Sequence, residues 1–370
     1  MSATLNPSRT RIDTVEVHCY QVPTATGAES DGTLTWNSTA ITVVELHADG
    51  VTGLGYSYCH PAARTVIETK LSSVLVEADP CMPERSWAHM QVELRQLGHA
   101  GLAMMARSAV DIALWDLKAK LIDVCLADAL PRFHESVAIY GSGGFTNLTD
   151  DQLREQVHEW VRAGCRSMKM KVGRDKLADP SRIDVVREEA GPDAELMVDG
   201  NGAYTVPEAL LWGECFRGQG VDYFEEPVSS ENLRGLAEVR RRAPAGLSIA
   251  GGEYGWDVPY YGQMLDADAV HILQADVTRC GGITNLIRID GLCKARNLPF
   301  SAHCAPAVSA HAGCAMESVL HIEYFYDHKR IERMLFDGTL DPCAGRLTPD
   351  RERPGLGIEL KRDEAARFAV

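Results

Sequence analysis

The stretch "SMKMKV" (residues 167–172) decides the fold. As a strand it sends Lys169 and Lys171 to one side and Met168, Met170 and Val172 to the other. The methionine side can pack on helices, so the two ammonium groups face an interior. Similar short apolar runs flank it: "VAIYGS", "ELMVDGN", "VDYFEEP", "LSIAGGE", "AVHILQAD", "PFSAHC" and "VLHIEYF". Together they make eight strands about 20 to 30 residues apart. Amphipathic segments such as "TDDQLREQVHEWVRAG" separate them, the pattern of a closed parallel α/β barrel. An open doubly wound sheet would want a Gly-rich phosphate turn after its first strand, and "YGSGGFTN" lacks that spacing.

Upstream, "TVEVHCYQV" and "AITVVELHADGVTGLGYSY" alternate as an antiparallel meander around a polar loop at about residues 23–38. A helical face follows in "GLAMMARSAVDIALWDLKAKLI". The chain therefore divides into an α+β capping domain with lid loops (1–130), the barrel (131–335) and a C-terminal return onto the cap (336–370). Its 370 residues, 45% hydrophobic and 24% charged, suffice for a large core. A net charge of −15 argues against nucleic acid or an anionic membrane as partner. An anionic ligand would then need a local positive centre. Eleven cysteines without a Cys-x-x-Cys read as reduced thiols. "MSATLNPSRTRID" carries no leader-like apolar run, and no stretch reaches the roughly 18 apolar residues of a membrane span. A cytoplasmic protein is expected.

Seven of the eight runs end in ionisable side chains, and the C-terminal ends of barrel strands are where chemistry is done. Singly, each has an ordinary explanation as a turn or a solvated strand end; their serial recurrence does not. Asp199, Glu225 and Glu253 are 26 and 28 residues apart, one βα unit each. Three converging carboxylates repel unless a cation lies between them. An all-oxygen set favours a hard ion, Mg²⁺ best. Crowding between Lys169 and Lys171 is expected to lower one pKa toward neutrality, making Lys171 a general base and leaving Lys169 near metal or substrate carboxylate. Salt bridges to the carboxylate cluster are the alternative account of the pair.

Asp276 and His303 are 27 residues apart, again one unit, so the aspartate can fix the imidazole tautomer. Glu323 follows on the last strand, where it could donate to an oxyanion or serve structure alone. The "HC" at 303–304 lacks the second pair of ligands a zinc site needs. The polar lid stretches "ESDGTLTWNST" and "GYSYCH" offer Trp36, Tyr56, Tyr58 and His60 to a hydroxylated substrate.

The set "KMK" (169–171), "VDGN" (198–201), "FEEPV" (224–228), "AGGE" (250–253), "QADVTRCGGIT" (274–284), "SAHCAP" (301–306) and "HIEYF" (321–325) resembles the enolase superfamily, in particular its mandelate racemase-like subgroup. The resemblance spans nearly the whole chain. It implies a modified (β/α)7β TIM barrel behind an N-terminal α+β cap. It puts Mg²⁺ on Asp199, Glu225 and Glu253, bases at Lys171 and at His303 supported by Asp276, and Asn201 and Glu323 near substrate. The implied chemistry is removal of the proton α to a carboxylate, with β-elimination of water from an aldonate or aldarate as the expected outcome. Racemisation, epimerisation or cycloisomerisation would use the same two bases. A Schiff-base lyase and a non-catalytic paralogue are the other classes considered. A small carboxylate partner and a homo-oligomer are expected.

Overall fold

The computed structural model describes residues 10–25 and 27–370; the reading of the N-terminus as leaderless therefore falls largely outside the described residues. Strand β1 (Thr14–Pro23) is followed by a short hairpin, β2 (Glu29–Ser30) and β3 (Thr35–Trp36), then by β4 (Ser38–Ala48) and β5 (Val51–Ser57). β1, β4 and β5 form an antiparallel sheet in that order. β1 and β4 pair without a break from Thr14↔His47 to Pro23↔Ser38. The polar stretch expected to be an open loop is thus a hairpin continuing beyond the sheet. β4 turns into β5 at Asp49–Gly50, both at positive φ, the turn chemistry a two-residue hairpin demands.

The long Ala-rich helix Leu102–Leu121 lies against β5. Contact is so close that a Cβ on Gly55 would fall 2.2 Å from the carbonyl oxygen of Ala109. Glycine at 55 is what lets the helix seat there.

Strands β6 (Val137–Gly143), β7 (Ser167–Lys171), β8 (Glu195–Asp199), β9 (Val221–Glu225), β10 (Ser248–Gly251), β11 (Ile272–Asp276), β12 (Phe300–His303) and β13 (Val319–Phe325) pair in parallel, in chain order. β13 pairs back onto β6 through Ile322↔Ile139 and closes the barrel. A helix separates each strand from the next. Two of these helices begin with capping boxes, Thr149 with Gln152 and Thr205 with Glu208, each satisfying two backbone donors at the helix start. Met168, Met170 and Val172 face the helix layer as expected. Tyr140, Met197, Tyr223, Ala250 and Ile272 form an apolar cluster inside the barrel.

Register sets the site. Lys171 pairs with Asp199, Asp199 with Glu225, and Glu225 with Ala250, while Asp276 pairs with His303. The chemistry-bearing residues therefore share one layer at the C-terminal rim. Beyond the barrel, β14 (Phe336–Asp337) precedes β15 (Arg346–Leu347), which pairs antiparallel with β6. The chain end then lies on the cap: Val370 N donates to Cys19 O at 3.0 Å, and Arg362 forks onto both carboxylate oxygens of Glu45. All eleven cysteines are free. No helix among the described residues is long and apolar enough to cross a membrane.

Candidate active site

Both lysines point inward from β7, and each meets a carboxylate. Lys169 Nζ lies 2.7 Å from both oxygens of Glu225 and 2.9 Å from Glu323 Oε1. Lys171 Nζ donates to Asp199 Oδ2 at 2.5 Å. This corrects the expectation of a lysine pKa lowered toward neutrality. Burial does pull both downward, but Glu225 and Glu323 around Lys169, and Asp199 beside Lys171, more than offset it. Both are held above the ordinary lysine value as ammonium groups. Counting only the mutual repulsion of the lysines left out the counter-ions that strand register delivers.

Asp199, Glu225 and Glu253 each offer an oxygen within 4.8 Å of the others, and all three are buried. Burial and Asp199 push Glu225 up to about 8, even with Lys169 against it. Neighbouring Glu226 is raised further, by burial and by Glu253. Glu226 Oε1 and Asn201 Oδ1 are buried without hydrogen-bond partners. An over-charged carboxylate cluster with unsatisfied oxygens fits a hard divalent cation, and these residues could hold Mg²⁺. The chain bends sharply just past these strand ends, with Asn201 at φ +43° and Glu226 at φ +38°. Non-glycine residues at positive φ cost energy and collect at functional sites.

His303 Nδ1–H donates to Asp276 Oδ2 at 2.7 Å. Asp276 is steadied in turn by the backbone N–H and hydroxyl of Thr278, at 2.6 and 2.7 Å. The other ring nitrogen, Nε2, looks into the site, 2.9 Å from Glu253 Oε2 and 3.4 Å from Glu323 Oε2. Burial disfavours the imidazolium, but Cys304, Glu253 and Glu323 prevail and raise its pKa well above the usual histidine range. Glu323 accepts from Ser142 Oγ at 2.6 Å and is held well below the carboxylate range, because Lys169 and His303 outweigh its burial. It is an anion here, which corrects the option of a protonated donor.

One cavity of about 360 Å³ joins these groups to the cap, lined among others by Trp36, Tyr58, His60, Lys171, Asn201 and His303. A larger groove of about 600 Å³ lies between cap and tail, beside Arg353 and Arg362, and contains none of the chemistry-bearing residues. Tyr58 stacks on His328 with ring centroids 3.5 Å apart. Trp36 Nε1 donates to the buried Glu29. Tyr56, expected at the substrate, is instead fully buried between cap and barrel, its hydroxyl donating to Glu332 Oε1 at 2.5 Å. Tyr58, one residue past the end of β5, lines the cavity, and Tyr56 does not. The lid hairpin turns on Asp31, whose Oδ1 accepts from the N–H groups of Thr33 and Leu34. Arg174, from the loop after β7, grips the same tip through the carbonyls of Asp31 and Leu34, at 2.8 and 2.5 Å.

Gln274, Ser142 and Arg279 were not anticipated. Gln274 Nε2 donates to Glu225 Oε2 at 2.7 Å, and Arg279 lies 3.3 Å from Glu253 Oε1. Gln274 sits two residues before Asp276 on one strand, the spacing that exposed the lysine pair, but as a neutral amide it adds no charge to the strand end.

Two family profiles match: "Mandelate racemase / muconate lactonizing enzyme, N-terminal domain" over residues 14–130 and "Enolase C-terminal domain-like" over residues 152–365. Among curated proteins, D-galactarolactone cycloisomerase of Agrobacterium fabrum is 33% identical, over 97% of this chain and 99% of the relative. Among solved structures, a mandelate racemase/muconate lactonizing enzyme-like protein from Rubrobacter xylanophilus superposes with a TM-score of 0.95 at 54% identity, covering 97% of this chain and 100% of that one. L-talarate/galactarate dehydratase from Salmonella typhimurium, solved with Mg and L-lyxarohydroxamate, gives 0.89 at 27% identity over 100% of this chain and 96% of that one. With matches covering most of its length and a barrel closed behind an α+β cap, the chain belongs to the mandelate racemase/muconate lactonizing enzyme family of the enolase superfamily.

Proposed function

We propose that the chain removes the proton α to the carboxylate of an acid sugar and then expels water from the β-carbon, giving a 2-keto-3-deoxy acid. The observation that carries this reading is the meeting of Lys171, His303 and Glu253, a member of the carboxylate trio, in one cavity under a polar lid. Asp199, Glu225 and Glu253 are assigned to Mg²⁺, in keeping with the magnesium in the Salmonella relative. When bound, the ion supplies Lewis-acid stabilisation for charge developing on the substrate carboxylate.

The rest falls to side chains. Lys169, buried among Glu225 and Glu323, keeps a positive charge fixed beneath that carboxylate. Lys171 and His303 rise from strands three apart by the short way round the barrel and address opposite faces of the α-carbon. Because Asp276 holds Nδ1–H, Nε2 is the reacting nitrogen of His303. With Mg²⁺ on the carboxylates offsetting the negative charge that holds Lys171 and His303 protonated, one of the pair, in its neutral form, takes the α-proton. The other, as acid, protonates the departing β-hydroxyl, so that the C–O bond breaks and water leaves. The resulting enol becomes the ketone as C3 gains a proton. Trp36, Tyr58, His60 and Asn201 are assigned to the substrate hydroxyls.

Isomerisation by the same two groups is the second reading, favoured by the 33% identity to a cycloisomerase. Incubating aldonates, aldarates and their lactones in deuterated solvent, followed by mass spectrometry, tests both. Loss of one water mass supports dehydration. Unchanged composition with solvent deuterium at the α-carbon supports isomerisation. No loss and no exchange across the panel overturns α-proton abstraction.

A further inference from the structure

Cys304 follows His303 directly, and the proposed reaction makes no use of it. In sequence the pair lacks further ligands; the fold supplies one from the adjacent strand. Cys304 Sγ lies 3.3 Å from His303 Nε2 and 3.2 Å from Glu323 Oε2, and Nε2 lies 3.4 Å from the same carboxylate oxygen. From metal bonds of about 2.0–2.3 Å, a tetrahedral zinc ion has ligand-to-ligand edges of roughly 3.3–3.6 Å. The three atoms already form one face of such a tetrahedron, with little adjustment needed.

Two further observations point to a ligand. Glu253 Oε2, on a carboxylate only 2% exposed, lies 2.9 Å from the same imidazole nitrogen, which puts a second buried carboxylate against this cluster. His303 also hands its other N–H to Asp276, the carboxylate–histidine arrangement that orients metal-binding imidazoles. We propose that His303 Nε2, Cys304 Sγ and Glu323 Oε2 form a second cation site, for a soft divalent ion such as Zn²⁺, beside the all-oxygen rim.

The two sites differ in ligand softness. Asp199, Glu225 and Glu253 present oxygen only, whereas the second set adds sulfur and nitrogen and leaves a fourth position to solvent. Loading breaks the Cys304 S–H bond, releases that proton to solvent and forms the sulfur–metal bond. It also occupies the lone pair on Nε2, so a soft ion inhibits turnover; this consequence, unlike binding itself, rests on the role proposed for His303.

The test uses the purified full chain, saturated with Mg²⁺ and titrated with Co²⁺. A thiolate-to-cobalt charge-transfer band in the near ultraviolet, with the intense visible bands of four-coordinate cobalt, is expected, and Zn²⁺ should bleach both. Cys304→Ser should abolish the charge-transfer band and weaken Zn²⁺ binding at least about tenfold, the lower end of losses seen even for outer partners. Cys215→Ser, at an exposed helix position, should leave both unchanged. Absence of the band in the unaltered protein overturns the site however the variant behaves, as does a band that survives in Cys304→Ser. The spectrum reads ligation without turnover, so failure of the proposed reaction and failure of this site are separable.

Discussion

Lys171 and His303 face one cavity, yet they are supported in different ways. Lys171 leans on Asp199, a member of the carboxylate trio. His303 leans on Asp276, which lies outside the trio and is pinned by Thr278. The amine side therefore answers to whatever cation neutralises Asp199. The imidazole side has its tautomer set by protein alone, with Glu253 its one link to the trio. A two-faced site can thus have one face that responds to metal and one that is pre-set.

Removing divalent ions with EDTA should have the largest effect. Deuterium exchange at the substrate α-carbon should fall to background and return with Mg²⁺, while the His303 Nδ1–H resonance persists; loss of that resonance would erase the asymmetry. Lys171→Ala and His303→Asn should each lower turnover by about 10²–10⁴, the usual yield of a positioned acid or base. Single-turnover exchange with each variant would show which group takes the α-proton, and near-normal rates in both would refute the pairing. Asp276→Asn should cost less activity than His303→Asn and should change the pH profile; identical profiles would mean that the dyad does not tune the ring. Arg174→Ala releases the lid tip and should raise KM at least roughly tenfold, one charge-assisted hydrogen bond being worth about 1.5–3 kcal/mol, with kcat nearly unchanged.

The smallest effect on activity is expected at Glu332, where the prediction concerns stability, away from the rim. Burial raises Glu332 to about 8 against a normal value of 4.5, so the folded chain keeps a proton there that the unfolded chain gives up. Stability should therefore decline as pH rises from about 4.5 towards 8. Glu332→Gln should flatten that decline in Tm; an unchanged slope would show that the carboxyl is already ionised.

The barrel was legible because its strands recur at one βα spacing, and the rim because strand ends concentrate charge. Legibility stopped where partners come from register rather than from the local string. The counter-ions of Lys169 and Lys171 arrive from neighbouring strands and beyond, which reversed the expected direction of their pKa shifts. Tyr56 and Tyr58 have the same alternation, but Tyr56 lies within β5 and Tyr58 one residue past its end. The lid hairpin escaped notice because β2 and β3 are two residues each, too short for any periodicity to register.

Arg174 holds the lid tip by main-chain oxygens, which every residue type possesses. Tip side chains that do not build the turn, such as the exposed Leu34, can be exchanged without undoing the clasp. Selectivity for one substrate over another can consequently drift by point substitution while the closed geometry is inherited intact.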